Sequence, residues 1–106
     1  MDIKYDVQIS PRACAEFEDQ VSWLKERSMQ GAKNWSASFS KAVEGLQAMP
    51  ERFGLAPESE DHEVDIRQAT FRTSKGHRYR LLFTIDDSTV KILSVRGFGQ
   101  SDAEFE

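Results

Sequence analysis

The first residues of the chain alternate between apolar and polar side chains. Apolar residues occupy every second position from Ile3 to Ile9, which is the period of a half-buried β-strand. Ser10 and Pro11 follow, and a serine N-cap before a proline at the first helical position indicates a helix start. The pattern predicts a short strand that leads directly into a helix.

Two apolar stripes with helical spacing come next. The stripes consist of Ala13, Phe17, Val21 and Leu24, and of Ala32, Trp35, Phe39, Ala42, Leu46 and Met49. We expect Gly31 to end the first helix and Pro50 to limit the second. The short connection predicts an antiparallel helical hairpin, and we expect both stripes, with Trp23 and Trp35, to lie in the core.

The second half of the chain is typical of strands joined by turns. Residues 50–62 are punctuated by proline and glycine and are expected to form a surface connector. Residues 64–71 predict a strand and residues 73–76 a turn, and two further strands flank the turn-forming residues 86–88. The predicted order is β-α-α-β-β-β. This is an α+β fold in which the N-terminal helical hairpin packs on one face of a small antiparallel sheet.

Three arginines lie at one end of the last hairpin. Arg78 and Arg80 open its first strand and Arg96 closes its second, so antiparallel pairing brings them to the same end of the sheet. Because strand side chains alternate between faces, Arg78 and Arg80 share a face with Leu82, whereas Tyr79 faces the helices. We interpret a wider set as a surface for an anionic or acidic partner: Arg67, Arg72, Arg78, Arg80 and Arg96. The alternative is that these arginines pair with the acidic helices or keep the sheet edges soluble.

Charge is distributed unevenly over this single domain of 106 residues, whose net charge is −4. Residues 1–61 hold 7 Lys and Arg against 11 Asp and Glu, whereas residues 62–97 hold 7 against 4. We expect residues 1–97 to form the domain and the acidic residues 98–106 to form a flexible tail. An acidic chain argues against strong non-specific binding of nucleic acids.

Other chemistry has little support in the sequence. The single cysteine, Cys14, excludes an intramolecular disulfide, and the sequence carries no visible signal peptide or membrane span, so we expect a cytoplasmic protein. Cys14, His62 and His77 do not form a recognisable ligand cluster, and we expect no metal or cofactor. A further set is interpreted as solvated loop charges: Glu58, Glu60, Asp61, Asp86 and Asp87.

Taken together, these segments resemble the RelE/ParE family of toxins from bacterial type II toxin–antitoxin systems. The matching segments, in chain order, are YDVQISPRA, WLKER, AxxW, LxxMPER, APE, IR, GHRYRLLF and VKILSVR, and they extend over residues 3–97. For the fold, the resemblance implies two helices packed on a small antiparallel sheet.

The resemblance implies a toxin closer to the ParE side of the family, whose members poison DNA gyrase. Such a toxin acts by binding, serves in plasmid stabilisation, and is neutralised by an antitoxin that lays a helix and an extended segment over the sheet and the helical hairpin. Homodimer formation is left open.

The alternative that the family offers is a metal-independent, ribosome-dependent mRNA endoribonuclease. Arg67, Arg80 and Arg96 would then surround the scissile phosphate, with Tyr79 as the nearest aromatic hydroxyl. The acidic composition and Gly97, at a position where relatives often carry histidine, weigh against this enzyme. A non-toxic interaction module that retains the fold is the third hypothesis.

Overall fold

The structure, a computed structural model, describes residues 4–73 and 76–97. Its elements follow the predicted order, which confirms the α+β fold. They are β1 (Asp6–Ile9), α1 (Pro11–Arg27), α2 (Met29–Gly45), β2 (Arg67–Arg72), β3 (Arg78–Asp86) and β4 (Thr89–Gly97), with 3₁₀ turns at Pro50–Arg52 and Pro57–Asp61. The predicted tail, residues 98–106, lies outside the described residues.

The four strands form one sheet in the order β1-β4-β3-β2. Strands β2, β3 and β4 are an antiparallel meander, but β1 pairs in parallel with β4, with Val7 opposite Val90 and Ile9 opposite Ile92. The sheet is therefore mixed and not antiparallel throughout. Parallel pairing requires a long crossover, which the helices and the meander supply here. The alternation of apolar and polar residues within a strand does not indicate which strand it pairs with, or in which direction.

A single residue, Ser28, separates the two helices. Its backbone is extended (φ −164°, ψ 113°), and its Oγ accepts a hydrogen bond from the Gly31 N–H at 3.0 Å. Its own N–H donates to the carbonyl of Leu24 at 2.7 Å. Gly31 thus lies in the first turn of α2, and the prediction that it ends α1 is wrong. A serine that caps both helices decides the boundary more strongly than the nearby glycine.

Helix α2 ends at Gly45, earlier than predicted. Leu46 is buried, but Met49 is 66% exposed and has a left-handed backbone with φ 47°. Its assignment to the apolar stripe is wrong, because the chain has already left the helix. The Arg52 guanidinium donates to the carbonyl of Gly45 at 3.3 Å and so covers the carboxyl end of α2.

The helices bury an aromatic cluster against one face of the sheet. Trp35 is 1% exposed and lies at its centre, in contact with the rings of Phe17, Phe39, Phe71 and Tyr79. Trp23, in contrast, is 51% exposed, with the Arg27 guanidinium 3.8 Å above its ring. The prediction that both tryptophans are in the core therefore holds for Trp35 and is wrong for Trp23, which lies off the buried face of α1.

The connector between α2 and β2 covers part of the opposite face of the sheet. Ala56 and Ile66 pack there against Leu82 of β3 in a second, smaller buried cluster. Val64 is 60% exposed, and β2 begins only at Arg67, so the predicted strand over residues 64–71 is too long at its start. Both faces of the sheet are thus buried where the connector crosses.

Candidate functional site

The arginines predicted to gather at one end of the sheet are neighbours in its backbone. Arg80 lies opposite Arg96 between β3 and β4, and Arg72 lies opposite Arg78 between β2 and β3. Their side chains, however, have different partners and different exposure. Backbone pairing alone therefore does not create one cationic surface.

Arg80 is buried and forms a two-pronged ion pair with Glu58. Its two terminal nitrogens each donate to one carboxylate oxygen of Glu58 at 2.7 Å, and Nη1 also donates to Oε1 of Gln68 at 3.2 Å. The side chains are 8% and 0% exposed. The interpretation of Glu58 as a solvated charge is wrong, because the 3₁₀ turn at Pro57–Asp61 places it against the sheet.

Arg67 and Arg96 are also engaged by the chain itself. Arg67 donates through Nη1 to the carbonyl of Phe53 at 2.6 Å and to that of Glu51 at 3.3 Å, so it fastens the connector to the start of β2. Arg96 lies 3.6 Å from a carboxylate oxygen of Glu16, and its side chain is 11% exposed. The three guanidinium groups that the ribonuclease hypothesis places around one phosphate contact three different sets of acceptors.

Glu16, which the sequence did not single out, joins α1 to β4. One of its carboxylate oxygens accepts from the Ser94 hydroxyl at 2.7 Å and from the Val95 N–H at 3.2 Å. The other lies 3.6 Å from both Arg12 and Arg96. No local sequence signal identifies such a residue, because its partners lie far along the chain.

Arg72 and Arg78 are the two members of the predicted set that are exposed. They occupy the ends of β2 and β3 beside the turn that joins these strands. Two adjacent exposed guanidinium groups can bind carboxylates or phosphates in bidentate fashion. Whether the predicted set contacts a partner stays a prediction.

Tyr79 faces the helices, as predicted from the alternation of β3. Its ring packs against Trp35 and Phe71, and its hydroxyl accepts a hydrogen bond from Gln20 Nε2 at 3.3 Å. Burial raises the pKa of the Tyr79 phenol above its ordinary value. Arg80 lies on the other face, so these two side chains do not act on a common point.

A groove with a volume of about 930 Å³ opens between α1, the start of α2 and the end of the sheet. It is lined by Glu16, Asp19, Gln20, Trp23, Leu24, Arg27, Ser28, Gln30, Gly31, Asn34, Trp35, Thr73, His77, Tyr79, Val95 and Gly97. Its lining combines aromatic and polar side chains, as do sites that anchor a partner's side chains. The buried indole N–H of Trp35 has no hydrogen-bond acceptor among the described residues.

The cysteine, the loop acids and the candidate metal ligands are not grouped into a site among the described residues. Cys14 is exposed, with its sulfur 4.0 Å from the carbonyl of Ile9. Glu60, Asp61, Asp86 and Asp87 are exposed, which confirms their interpretation as solvated charges. Over residues 4–73 and 76–97, no three His, Cys, Asp or Glu side chains are grouped to hold a metal ion.

Among the described residues, no helix combines the length and the apolar composition needed to cross a membrane.

A family model described as ParE toxin of type II toxin-antitoxin system, parDE, matches residues 7–100. No curated protein and no solved structure matches the chain. The family match extends over the helices, the connector and all four strands.

Proposed function

Because the chain belongs to the ParE toxin family of type II toxin–antitoxin systems, we propose that it acts by binding a topoisomerase such as DNA gyrase. The family implies a cognate antitoxin. On this proposal the antitoxin neutralises the toxin by covering its binding surfaces. Under the same proposal the toxin acts in the cytoplasm, and the pair serves in plasmid stabilisation.

The observation that carries the proposal is the engagement of the arginines within the chain. Cleavage of RNA at a phosphate requires cationic groups that are directed at the charge developing on the phosphorane. Arg80 is instead held by Glu58, Arg67 by carbonyls of the connector, and Arg96 by Glu16. This arrangement supports a toxin that acts as a binding protein.

The groove beside α1 supports the proposed neutralisation. Its lining includes Trp35, Leu24, Tyr79 and Trp23, and about half of the surface of Trp23 is exposed. Large aromatic side chains in a desolvated groove are typical anchors in protein interfaces. A helix of the antitoxin that inserts apolar side chains here would also cover the exposed face of Trp23.

The exposed pair Arg72 and Arg78 supports a separate surface for the target. Both residues lie at the turn end of β2 and β3, and an acidic face of a topoisomerase would match their charge. Charge reversal of both residues is expected to abolish inhibition of the target. The matched control is the double variant Lys33→Glu/Lys41→Glu, because both residues are exposed cations on α2, outside this end of the sheet, and the net charge changes by the same amount.

The test is expression of the chain with and without the protein encoded by the adjacent reading frame. Expression alone is expected to arrest growth and induce DNA-damage signalling, and coexpression is expected to restore growth. The purified protein is expected to inhibit DNA supercoiling by gyrase. Unimpaired growth at verified soluble levels contradicts the proposal and favours the non-toxic interaction module.

Growth arrest with normal supercoiling and cleavage of translated mRNA supports the ribonuclease alternative instead. In that case Arg80→Ala abolishes cleavage in a translating extract, and so does the double variant Glu58→Met/Arg80→Met, which leaves no buried charge and keeps the domain folded. Sedimentation of the purified chain distinguishes a monomer from the homodimer that the sequence leaves open.

A further inference from the structure

Arg72 and Arg78 form a small cationic surface at the end of β2 and β3. They lie opposite each other, and both are exposed. Among residues 4–73 and 76–97, no Asp or Glu forms an ion pair with either guanidinium group. Because side chains alternate along β3 and Tyr79 packs against Trp35, the neighbouring Arg78 faces away from the helices. The arginine pair therefore lies on a face that the helices leave open.

An acidic segment follows β4 directly in the sequence. Residues 98–106 carry three acids, Asp102, Glu104 and Glu106, and no lysine or arginine. They lie outside the described residues, and the family match ends at residue 100, before the first of these acids. The acids are therefore a feature of this chain that the family match does not include.

The acidic segment is long enough to reach both arginines. Strand β4 ends at Gly97, which pairs with Tyr79, the residue after Arg78. Neighbouring strands lie about 4.8 Å apart, so the backbone of β2 is about 10 Å from that of β4. An extended chain covers about 3.3 Å per residue, and the path from Gly97 to Asp102 therefore spans up to about 17 Å. Asp102 and the acids after it can thus lie over either arginine.

The groove beside α1 is the other surface within reach, because Gly97 also contributes to its lining. The groove contains the acids Glu16 and Asp19, and its Arg27 is stacked on Trp23. Like charges therefore disfavour an acidic segment in the groove, whereas two exposed guanidinium groups attract it to the other face of the sheet.

We propose that the acidic segment, residues 98–106, docks through its carboxylates on Arg72 and Arg78 of the same chain. Carboxylates accept bidentate hydrogen bonds from guanidinium groups, and a short tether holds them at an effective concentration on the order of millimolar. Ion pairs on an exposed surface contribute little free energy, so an acidic partner can displace the segment. The inference concerns contacts within the chain and does not depend on toxicity or on the target.

The first test measures binding of a fluorescently labelled hexaglutamate peptide to the full chain at low ionic strength. One variant neutralises the acidic segment: Asp102→Asn/Glu104→Gln/Glu106→Gln. The matched control removes three exposed acids from α1, α2 and the connector: Glu18→Gln/Glu44→Gln/Glu60→Gln. We expect the neutralised segment to raise the affinity for the peptide about three- to fivefold over the control, the size expected for two exposed ion pairs.

The same comparison is repeated in the background Arg72→Gln/Arg78→Gln, where the gain in affinity is expected to disappear. Equal affinities of the neutralised variant and the control overturn the proposal. A gain that persists without the two arginines also overturns it, because the segment then covers a different surface.

Direct contact is tested by zero-length carbodiimide cross-linking of Arg78→Lys, which keeps the charge and supplies a primary amine. Mass spectrometry is expected to find the acidic segment joined to position 78 at least about threefold more often than to Lys33 or Lys41, which are exposed on α2. The yield is expected to fall between 0.1 M and 1 M sodium chloride, because the Debye length contracts from about 10 Å to about 3 Å. An even distribution of cross-links over these lysines overturns the proposal. The substituted positions among the described residues are all exposed, and thermal unfolding of each variant verifies that folded proteins are compared.

Discussion

The carboxylate of Glu16 accepts the backbone N–H of Val95 at 3.2 Å, although 79 residues separate the two. Strand β1 pairs with β4 only as far as Ile92, so the following residues of β4 lie at an edge of the sheet. An unpaired edge N–H is a site for unwanted strand addition. Glu16 covers this N–H and ties α1 to the strand that carries Arg96.

Glu16→Ala is expected to lower the free energy of unfolding by about 1–3 kcal/mol, because the Ser94 hydroxyl and the Val95 N–H lose their acceptor. Chemical denaturation measures the change. Glu18→Ala is the matched control, since Glu18 is an exposed acid on the same helix and is expected to change stability by less than about 0.5 kcal/mol. Equal effects would show that Glu16 does not hold the edge.

Arg80→Met is expected to destabilise the protein by about 3–5 kcal/mol, because it leaves the carboxylate of Glu58 buried without its cation. The double variant Glu58→Met/Arg80→Met is expected to recover most of this loss, since two apolar side chains leave no buried charge. Arg78→Met, at an exposed position of the same strand, is the control. Additive losses in the double variant would contradict direct coupling of Glu58 and Arg80.

Trp23→Ala is expected to weaken antitoxin binding by about 2 kcal/mol or more, because tryptophan is enriched among the residues that carry most of the binding free energy in interfaces. Its effect on folding is expected to be about 0.5–1 kcal/mol, because the side chain is half exposed and mainly loses its contact with Arg27. Calorimetric titration and denaturation measure the two quantities. Met49→Ala, at another exposed apolar side chain, is expected to leave binding unchanged.

Ser28→Ala is expected to cost about 0.5–2 kcal/mol of stability, because the N–H of Gly31 loses its capping oxygen. The mid-helix substitution Ser40→Ala on an exposed face of α2 is expected to be neutral or slightly stabilising, since alanine has the higher helix propensity. Urea denaturation of both variants distinguishes capping from general helix propensity. A stabilised Ser28→Ala would show that the cap contributes nothing.

The stability of the protein is expected to fall at alkaline pH through Tyr79. Burial raises the pKa of its phenol above the ordinary value of 10.0, so the unfolded chain releases this proton at a lower pH than the folded one. The contribution is therefore complete below pH 10.0 and is lost as the pH rises through the raised pKa. Tyr79→Phe is expected to show a smaller fall in the free energy of unfolding above pH 10.0, measured by denaturation across this range. An unchanged pH dependence would mean that other groups dominate.

The order of elements and the faces of the helices could be predicted from the sequence because both follow from local periodicity. The spacing of Ala32, Trp35 and Phe39 places these side chains on one face of α2, and the structure buries all three. The predictions were wrong at single residues that departed from the apolar pattern. Ser28 capped both helices three residues before the expected glycine, and Trp23 lay just outside the buried stripe.

The sequence predicted which arginine positions lie together in the candidate site. It did not predict what their side chains contact. Antiparallel pairing placed Arg80 opposite Arg96, as the hairpin pattern indicated. The acceptors came from elsewhere in the chain: Glu58 from the connector and Glu16 from α1. Neither carboxylate could be distinguished from a solvated one by its local sequence.

The sequence by itself determined the α+β fold, the order of its elements and the family resemblance, because helical and strand periodicity act over a few neighbouring residues. Only the tertiary structure decided which arginines face solvent and which are held within the chain. The physical reason is that a buried charge requires a partner, and that partner can lie anywhere along the sequence. The partner of Arg80, Glu58, lies 22 residues away along the chain. The buried hydroxyl of Ser94 likewise needs a partner, and it bonds Glu16, which lies 78 residues away.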